Sequence, residues 1–322
     1  MNSNNYKETP YNSPFICQRA DPYVYRHSNG DYYFTASVPT YDKIILRQAK
    51  TLKGLKDAVE IEIWRKHDSG IMSQHIWAPE LHYIDGVWYI YFAASSVDDI
   101  WALRPYVLRC CGNDPMKDRW EELGQMKASD PFSFTDFSLD MTVFPIKDKT
   151  YAVWAEKVSV GKKISNLYIA EMDSPNKLHS PQVLLSTPSF SWEREDFWVN
   201  EGPAYIHHSG YSYLTYSASA TGSCYCMGLL KLKDGKDPLN PWNWEKSSGP
   251  VLKTDPDKGL FGPGHNSFTV NEEGEDVLVY HARQYDEIKG DPLYDYNRHT
   301  YLMKIKWDKS GPVFDFANNY LG

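Results

Sequence analysis

One phrase recurs along this chain: two β-rich runs joined by a short polar turn, present five times in step. The copies run from Asp21-Pro-Tyr-Val-Tyr to Tyr32-Tyr-Phe-Thr-Ala-Ser, from Trp77-Ala-Pro-Glu-Leu to Trp88-Tyr-Ile-Tyr-Phe, from Asp140-Met-Thr-Val-Phe to Tyr151-Ala-Val-Trp, from Glu201-Gly-Pro-Ala-Tyr to Tyr213-Leu-Thr-Tyr-Ser, and from His265-Asn-Ser-Phe to Val277-Leu-Val-Tyr. Between the runs stand Asn29-Gly30, Asp85-Gly86, Asp148-Lys149, Ser209-Gly210 and Glu273-Gly274, residues suited to tight hairpins. Counting back nine residues from Gly30, Gly86, Lys149, Gly210 and Gly274 reaches Asp21, Trp77, Asp140, Glu201 and His265, at intervals of 56, 63, 61 and 64 residues. A period near sixty accommodates four strands with their loops, and five such units fill the 322 residues. Turn signals interrupt nearly every apolar run and no long helical period carries caps at both ends, so the expected class is all-β. A radial array of four-stranded sheets is the natural packing for such repeats. A pair of β-sandwiches would give hairpins without a common period.

In a radial array the first strand of each unit lines a central channel, so the five counted positions should meet there. Two aspartates, a glutamate, a histidine and a tryptophan then share one place. Crowded carboxylates cannot all ionise at neutral pH, and their pKa values separate into acid and base. Glycosidic-bond hydrolysis uses such a pair: one protonated carboxyl donates to the leaving oxygen while an ionised one activates water or attacks carbon. The aromatic content of 15% suits sugar C–H faces. Taken singly, Asp21-Pro or Glu201-Gly-Pro is a turn, Trp77 is core, and His265 is a hydrogen-bonded loop histidine. Their common register is what argues for function. Glu80 is out of register, and Glu156 and Lys157 follow a strand; these three are read as structural.

Other classes find little support. The net charge of −8 and the lack of a long Lys/Arg run disfavour nucleic acid. The longest uncharged apolar run, Val87 to Ala94, is too short to cross a bilayer as a helix, so no membrane association is expected. The polar stretch from Met1 to Asn12 and five cysteines without a disulfide pattern lead to the expectation of a cytoplasmic protein with reduced thiols. Cys224-x-Cys226 lacks the further ligands of a zinc site. No His-Glu-x-x-His, phosphate-cradling glycine loop or Gly-x-Ser-x-Gly occurs. A WD-type scaffold would show a Trp-Asp dipeptide near every forty residues, and none recurs. A non-catalytic sugar-binding propeller would be favoured if one of Asp21, Asp140 or Glu201 were replaced.

The phrases Arg19-Ala-Asp21-Pro, His75-Ile-Trp77-Ala-Pro-Glu80-Leu, Leu139-Asp140 with Phe144, Asn200-Glu201-Gly-Pro and Gly264-His265-Asn-Ser-Phe resemble glycoside hydrolase family 43 from about residue 15 to about residue 315. The resemblance implies a five-bladed β-propeller forming a single catalytic domain, and an inverting mechanism. It implies Asp21 as general base, Glu201 as general acid and Asp140 as the carboxylate that raises and orients the acid. It implies His265 near a central divalent cation, calcium in many members, and substrate contacts at Trp77, Arg283 in Tyr280-His281-Ala-Arg283, and Arg298. The chain stops soon after the fifth repeat, which disfavours the β-xylosidases with a long C-terminal sandwich. Exo-acting release of α-L-arabinofuranosyl groups from arabino-xylo-oligosaccharides is the expected activity, with β-xylosidase the alternative and a hemicellulose-derived oligosaccharide the expected partner. The aromatic stretches Asp98–Tyr106 and Ser191–Trp198 are expected as loops walling one end of the pocket.

Overall fold

The computed structural model describes residues 8–158 and 164–320; the first seven residues of the polar N-terminal stretch lie outside the described residues. The first sheet comprises β1 (Ala20–Arg26), β2 (Tyr32–Ser37), β3 (Lys43–Ala49) and β4 (Ile61–Arg65), hydrogen-bonded in that order. The second repeats the pattern with β5 (Gln74–Ile84), β6 (Val87–Ser96), β7 (Asp99–Cys110) and β8 (Trp120–Gln125). The third holds β9 (Ser138–Ile146), β10 (Lys149–Val158), β11 (Ile164–Ser174), the short β12 (Lys177–Leu178) and β13 (Val183–Ser186). The fourth holds β14 (Trp198–His208), β15 (Tyr211–Ala218), β16 (Cys226–Lys233) and β17 (Trp244–Lys246). The fifth starts with β18 (Phe261–Val270), β19 (Asp276–Arg283) and β20 (His299–Lys304); after the small hairpin of β21 (Lys306–Trp307) and β22 (Pro312–Val313), β23 (Asn319–Tyr320) pairs with β20. A short parallel pairing of β11 with β14 joins the third and fourth sheets edge to edge.

The first strands β1, β5, β9, β14 and β18 touch their neighbours in cyclic order, and β18 returns to β1. Apolar residues segregate into five buried clusters, one between each adjacent pair of sheets. Phe34 and Ile45 meet Val279 and Leu302 between the first and fifth sheets. Ile44 meets Ile90 and Leu108, Val107 meets Trp154 and Ala170, Val153 meets Leu214 and Leu230, and Met227 meets Tyr280 and Tyr301. Five interfaces for five sheets close a five-bladed propeller. A strand covered on both faces does not alternate between buried and exposed residues, and Tyr32–Ser37 is buried throughout. At the closure, Phe15 N–H donates to Thr300 O (2.8 Å) and Thr300 N–H donates to Ile16 O (2.8 Å), pinning the segment before β1 to the last blade.

Each first strand breaks register against its second strand at a β-bulge near the channel. The bulged residue adopts a positive φ in every blade: Asp21, Ala78, Asp140, Gly202 and His265. Such bulges turn a side chain out of the strand's alternation and toward a site. They also correct the count of nine. Trp77 and Glu201 precede the bulge residue by one position, because the hairpins differ: two residues link β5–β6, β9–β10 and β14–β15, but five link β1–β2 and β18–β19, and Asp140 meets its bulge only because its count starts at Lys149, one residue past the turn. The aromatic stretches also differ from expectation. Asp98–Tyr106 lies mostly within β7, and Ser191–Trp198 contains a short 3-10 turn before β14.

Candidate active site

Asp21, Asp140, Glu201 and His265 gather where the bulges face the channel. Asp21 Oδ2 accepts the Ser37 hydroxyl (2.5 Å), and Ser37 Oγ also accepts the Ala78 N–H (2.8 Å), tying the first blade to the second. Asp21 Oδ1 stands 3.3 Å from His265 Nδ1 and 3.5 Å from Arg298 Nη1. His281 Nδ1 lies 3.4 Å from the same oxygen, but its lone pair accepts the Asp21 N–H (3.1 Å). Burial lowers the His281 pKa to about 3, so it serves as a neutral acceptor. Burial also works to raise the Asp21 pKa, yet His265 and Arg298 outweigh it and hold this carboxyl well below the usual range. Asp21 stays ionised.

Asp140 and Glu201 experience the opposite balance. Burial, with Glu201 and Asp21 as like charges, raises the Asp140 pKa to about 8 against the pull of His265. Burial likewise raises Glu201, although His265 and the Tyr225 hydroxyl act to lower it. Crowded and buried together, both carboxyls hold their protons more tightly than free carboxyls do. Asp140 Oδ2 accepts the Gly202 N–H (3.0 Å) and lies 3.8 Å from His265 Nδ1, whereas Glu201 Oε1 accepts one hydrogen bond, from the Tyr225 hydroxyl (2.9 Å). The Gly202 amide and His265 pull the Asp140 pKa down without outweighing burial and its neighbours, so both carboxyls are pushed toward their protonated forms. His265 loses charge preference through burial, but Asp140, Asp21 and Glu201 reverse this and raise its pKa.

The local sequence explains why Glu201 is held in place. Asn200 donates through Nδ2 to Glu193 Oε1 (2.9 Å) and accepts the Ser186 hydroxyl (2.8 Å), while Gly202 is anchored on Asp140. The backbone is thus fixed on both sides of the acid. Gly202 has φ +53°, and a Cβ there would come within 3.1–3.3 Å of three His265 ring atoms, so glycine is what lets the ring approach. Gly264 has the same function for Tyr225: an added Cβ would lie 2.4 Å from its ring.

The remaining expected residues divide. Arg298 belongs to the site, donating to Tyr41 OH (2.8 Å) beside Asp21. Trp77 is only 8% exposed, stacked on His75 (4.4 Å) and edged by Tyr41 (5.5 Å). Trp101, 48% exposed, stands next to His75 (5.2 Å). Arg283 is almost fully buried and spends its donors on Thr221 O (2.8 Å) and Pro292 O (2.7 Å), so its position is that of a loop anchor. Ser37, Tyr41 and Tyr225 were not singled out by the repeat, since none sits at a counted position. Glu156 keeps its structural reading, accepting the Phe134 and Thr135 N–H groups (3.0 Å each) and the Trp154 indole (2.9 Å). Glu80 is buried and bonded to His82 (2.8 Å).

For a cation, the donor set is sparse. Among the described residues no group of three His, Cys, Asp or Glu side chains is arranged to hold a metal ion. His265 Nδ1 is already turned to two carboxylates, and calcium takes six to eight oxygens. The arrangement fits an ion-pair network rather than a calcium shell built from protein side chains.

Comparison with known proteins agrees with this geometry. The sequence profile described as glycosyl hydrolases family 43 matches residues 11–313. A Streptomyces avermitilis protein named extracellular exo-α-(1→5)-L-arabinofuranosidase is 48% identical over 94% of this chain, which spans 62% of that relative's length. A Streptomyces chartreusis protein of the same name is 47% identical over 89% of this chain and 86% of its own. The crystal structure of an α-L-arabinofuranosidase from Lactobacillus brevis superposes with a TM-score of 0.90 at 51% identity, covering 94% of this chain and 95% of that one. The two Streptomyces names overturn the cytoplasmic expectation, since both relatives are called extracellular. The physical reason is that all five thiols are free while five interlocked cores hold the ring, so a chain of this size needs no disulfides and its cysteines do not report its compartment. None of the described helices is long and apolar enough to cross a membrane.

Proposed function

The chain belongs to family 43 of the glycosyl hydrolases, and from that premise we propose that it is an inverting, exo-acting α-L-arabinofuranosidase that works outside the cell. The observation that carries this reading is the opposed electrostatics of two carboxyls at one end of the channel. Asp21 is kept ionised by His265 and Arg298, while Glu201 is pushed toward its protonated form beside Asp140. Asp21 draws a proton from water as the water attacks the anomeric carbon, and Glu201 gives its proton to the departing glycosidic oxygen. Asp140 fixes Glu201 through the Gly202 amide, and burial with the like charge of Asp21 keeps the acidity of Glu201 low. An inverting pair needs a carboxyl separation of about 6.5–9.5 Å to admit the water.

The names of the relatives favour α-(1→5)-linked arabino-oligosaccharides as substrates over the arabino-xylo-oligosaccharides expected from sequence. The test is product analysis on α-(1→5)-arabino-oligosaccharides and a panel of nitrophenyl glycosides. Arabinose released one unit at a time, with little action on the β-xyloside, is the expected result. Predominant xylose release or internal cleavage to oligosaccharides would overturn it.

A further inference from the structure

Past the bulges the inner strands run on, away from the carboxylates, and at the far end of the channel they surround a second cavity of about 450 Å³. That volume lies within the roughly 300–1,000 Å³ typical of small-molecule sites. Its wall includes Tyr23, Tyr25, Tyr83, Phe268 and Thr142, with His82 at its side. His82 is buried, bonded to the equally buried Glu80 and packed 5.1 Å from Tyr23. Tyr23, Tyr25 and Tyr83 bring three phenol groups to this wall, and Tyr83 is 37% exposed at the rim.

The chemistry of this wall selects a ligand class. No Lys or Arg lines the cavity, so nothing there answers the charge of a phosphate or carboxylate. The nearest lining charge is Asp85, in the exposed β5–β6 turn, where solvent screens it. What remains is a set of aromatic rings, several carrying hydroxyls, beside Thr142 and Ser267, which matches a neutral ligand that has C–H faces and many hydroxyls. We propose that the far mouth of the channel is a second carbohydrate site, taking a neutral pentose mono- or disaccharide without hydrolysing it. The choice of pentose rests on the functional reading above; the polyhydroxyl class rests on the cavity itself.

The experiment uses the full chain carrying Asp21→Asn, labelled with 3-fluorotyrosine and titrated with L-arabinose and α-(1→5)-arabinobiose under fluorine NMR. Tyr23→Phe, Tyr25→Phe and Tyr83→Phe assign the resonances. Saturable shifts at these tyrosines, lost when Thr142→Trp fills the cavity, are expected. In the chain that retains Asp21, Tyr83→Ala should leave kcat/KM on a nitrophenyl arabinofuranoside within about twofold, since Tyr83 packs on His27 and Trp88 rather than on the catalytic side chains. If Thr142→Trp does not fold, Tyr83→Ala at the exposed rim takes its place, and loss of the Tyr25 shift is the readout. Silence of Tyr23, Tyr25 and Tyr83 at sugar concentrations that saturate the catalytic end would overturn the proposal. Failure of the parent chain to release arabinose from oligosaccharides would instead overturn the functional reading, so the two failures are told apart.

Discussion

At the scale of single residues, the account assigns different work to three carboxyls in one channel, and substitution separates them. Asp21→Asn should reduce hydrolysis of every substrate by about 10³-fold or more, because water activation is needed whatever the leaving group. Glu201→Gln should harm oligosaccharides far more than nitrophenyl glycosides, since nitrophenolate departs without a proton. Equal losses on both substrates would remove Glu201 from the acid role.

Asp140 makes a pH prediction whose sign follows from its raised pKa. A carboxyl at about 3.8 when unfolded and about 8 when folded binds more protons in the native state between those values. Its contribution to stability is therefore full below the lower value and falls as pH rises toward the upper one. Asp140→Asn keeps an acceptor for the Gly202 N–H and removes this penalty. The variant should melt a few degrees above the parent at pH 7, lose that advantage near pH 3, and show a lower basic limb in its rate profile. A parent and variant with the same difference in Tm at both pH values would show that Asp140 carries no such strain.

At the scale of the element, the bulge is the unit that builds the site, and it explains what could be read in advance. The recurring phrase revealed the first strands and placed Asp21, Asp140 and His265 on the bulge itself. It missed by one at Trp77 and Glu201, because a shorter hairpin brings the bulge one residue closer to the turn while the count assumed one spacing for every blade. Ser37 and Tyr225 were illegible for another reason. Each reaches the site across a blade or between strands, as Tyr225 does from within Cys224-Tyr225-Cys226, so no local pattern marks them. Arg283 shows the converse: a cation near a strand end reads as a substrate contact until its donors are found occupied.

Gly202→Ala tests the bulge directly. The methyl group would press on the His265 ring and strain a left-handed backbone, while the blade cores lie elsewhere. The variant should fold, with kcat down by about 100-fold from sub-ångström misplacement of Glu201 and His265. Unchanged kcat, measured alongside an unchanged far-ultraviolet circular dichroism spectrum, would mean the close approach of the ring is not needed.

At the scale of the molecule, the all-β class and the number of blades were legible because five apolar interfaces impose one period on the sequence. The compartment was not, since a ring locked by its cores and by the segment at Phe15 and Ile16 does not depend on disulfides. The same view bears on the cation. With Asp21 held ionised by His265 and Arg298, the base does not require a metal to keep its charge, and dialysis against a chelator should leave kcat/KM unchanged. Loss of activity restored by calcium alone would place an ion in the network. The claim on which the rest depends is that Asp21 activates water opposite a protonated Glu201, and the anomeric configuration of the first-formed sugar tests it most directly. Proton NMR during rapid hydrolysis of an α-L-arabinofuranoside should show the β-anomer appearing first and the α-anomer only later by mutarotation; α-arabinofuranose as the initial product would contradict the account.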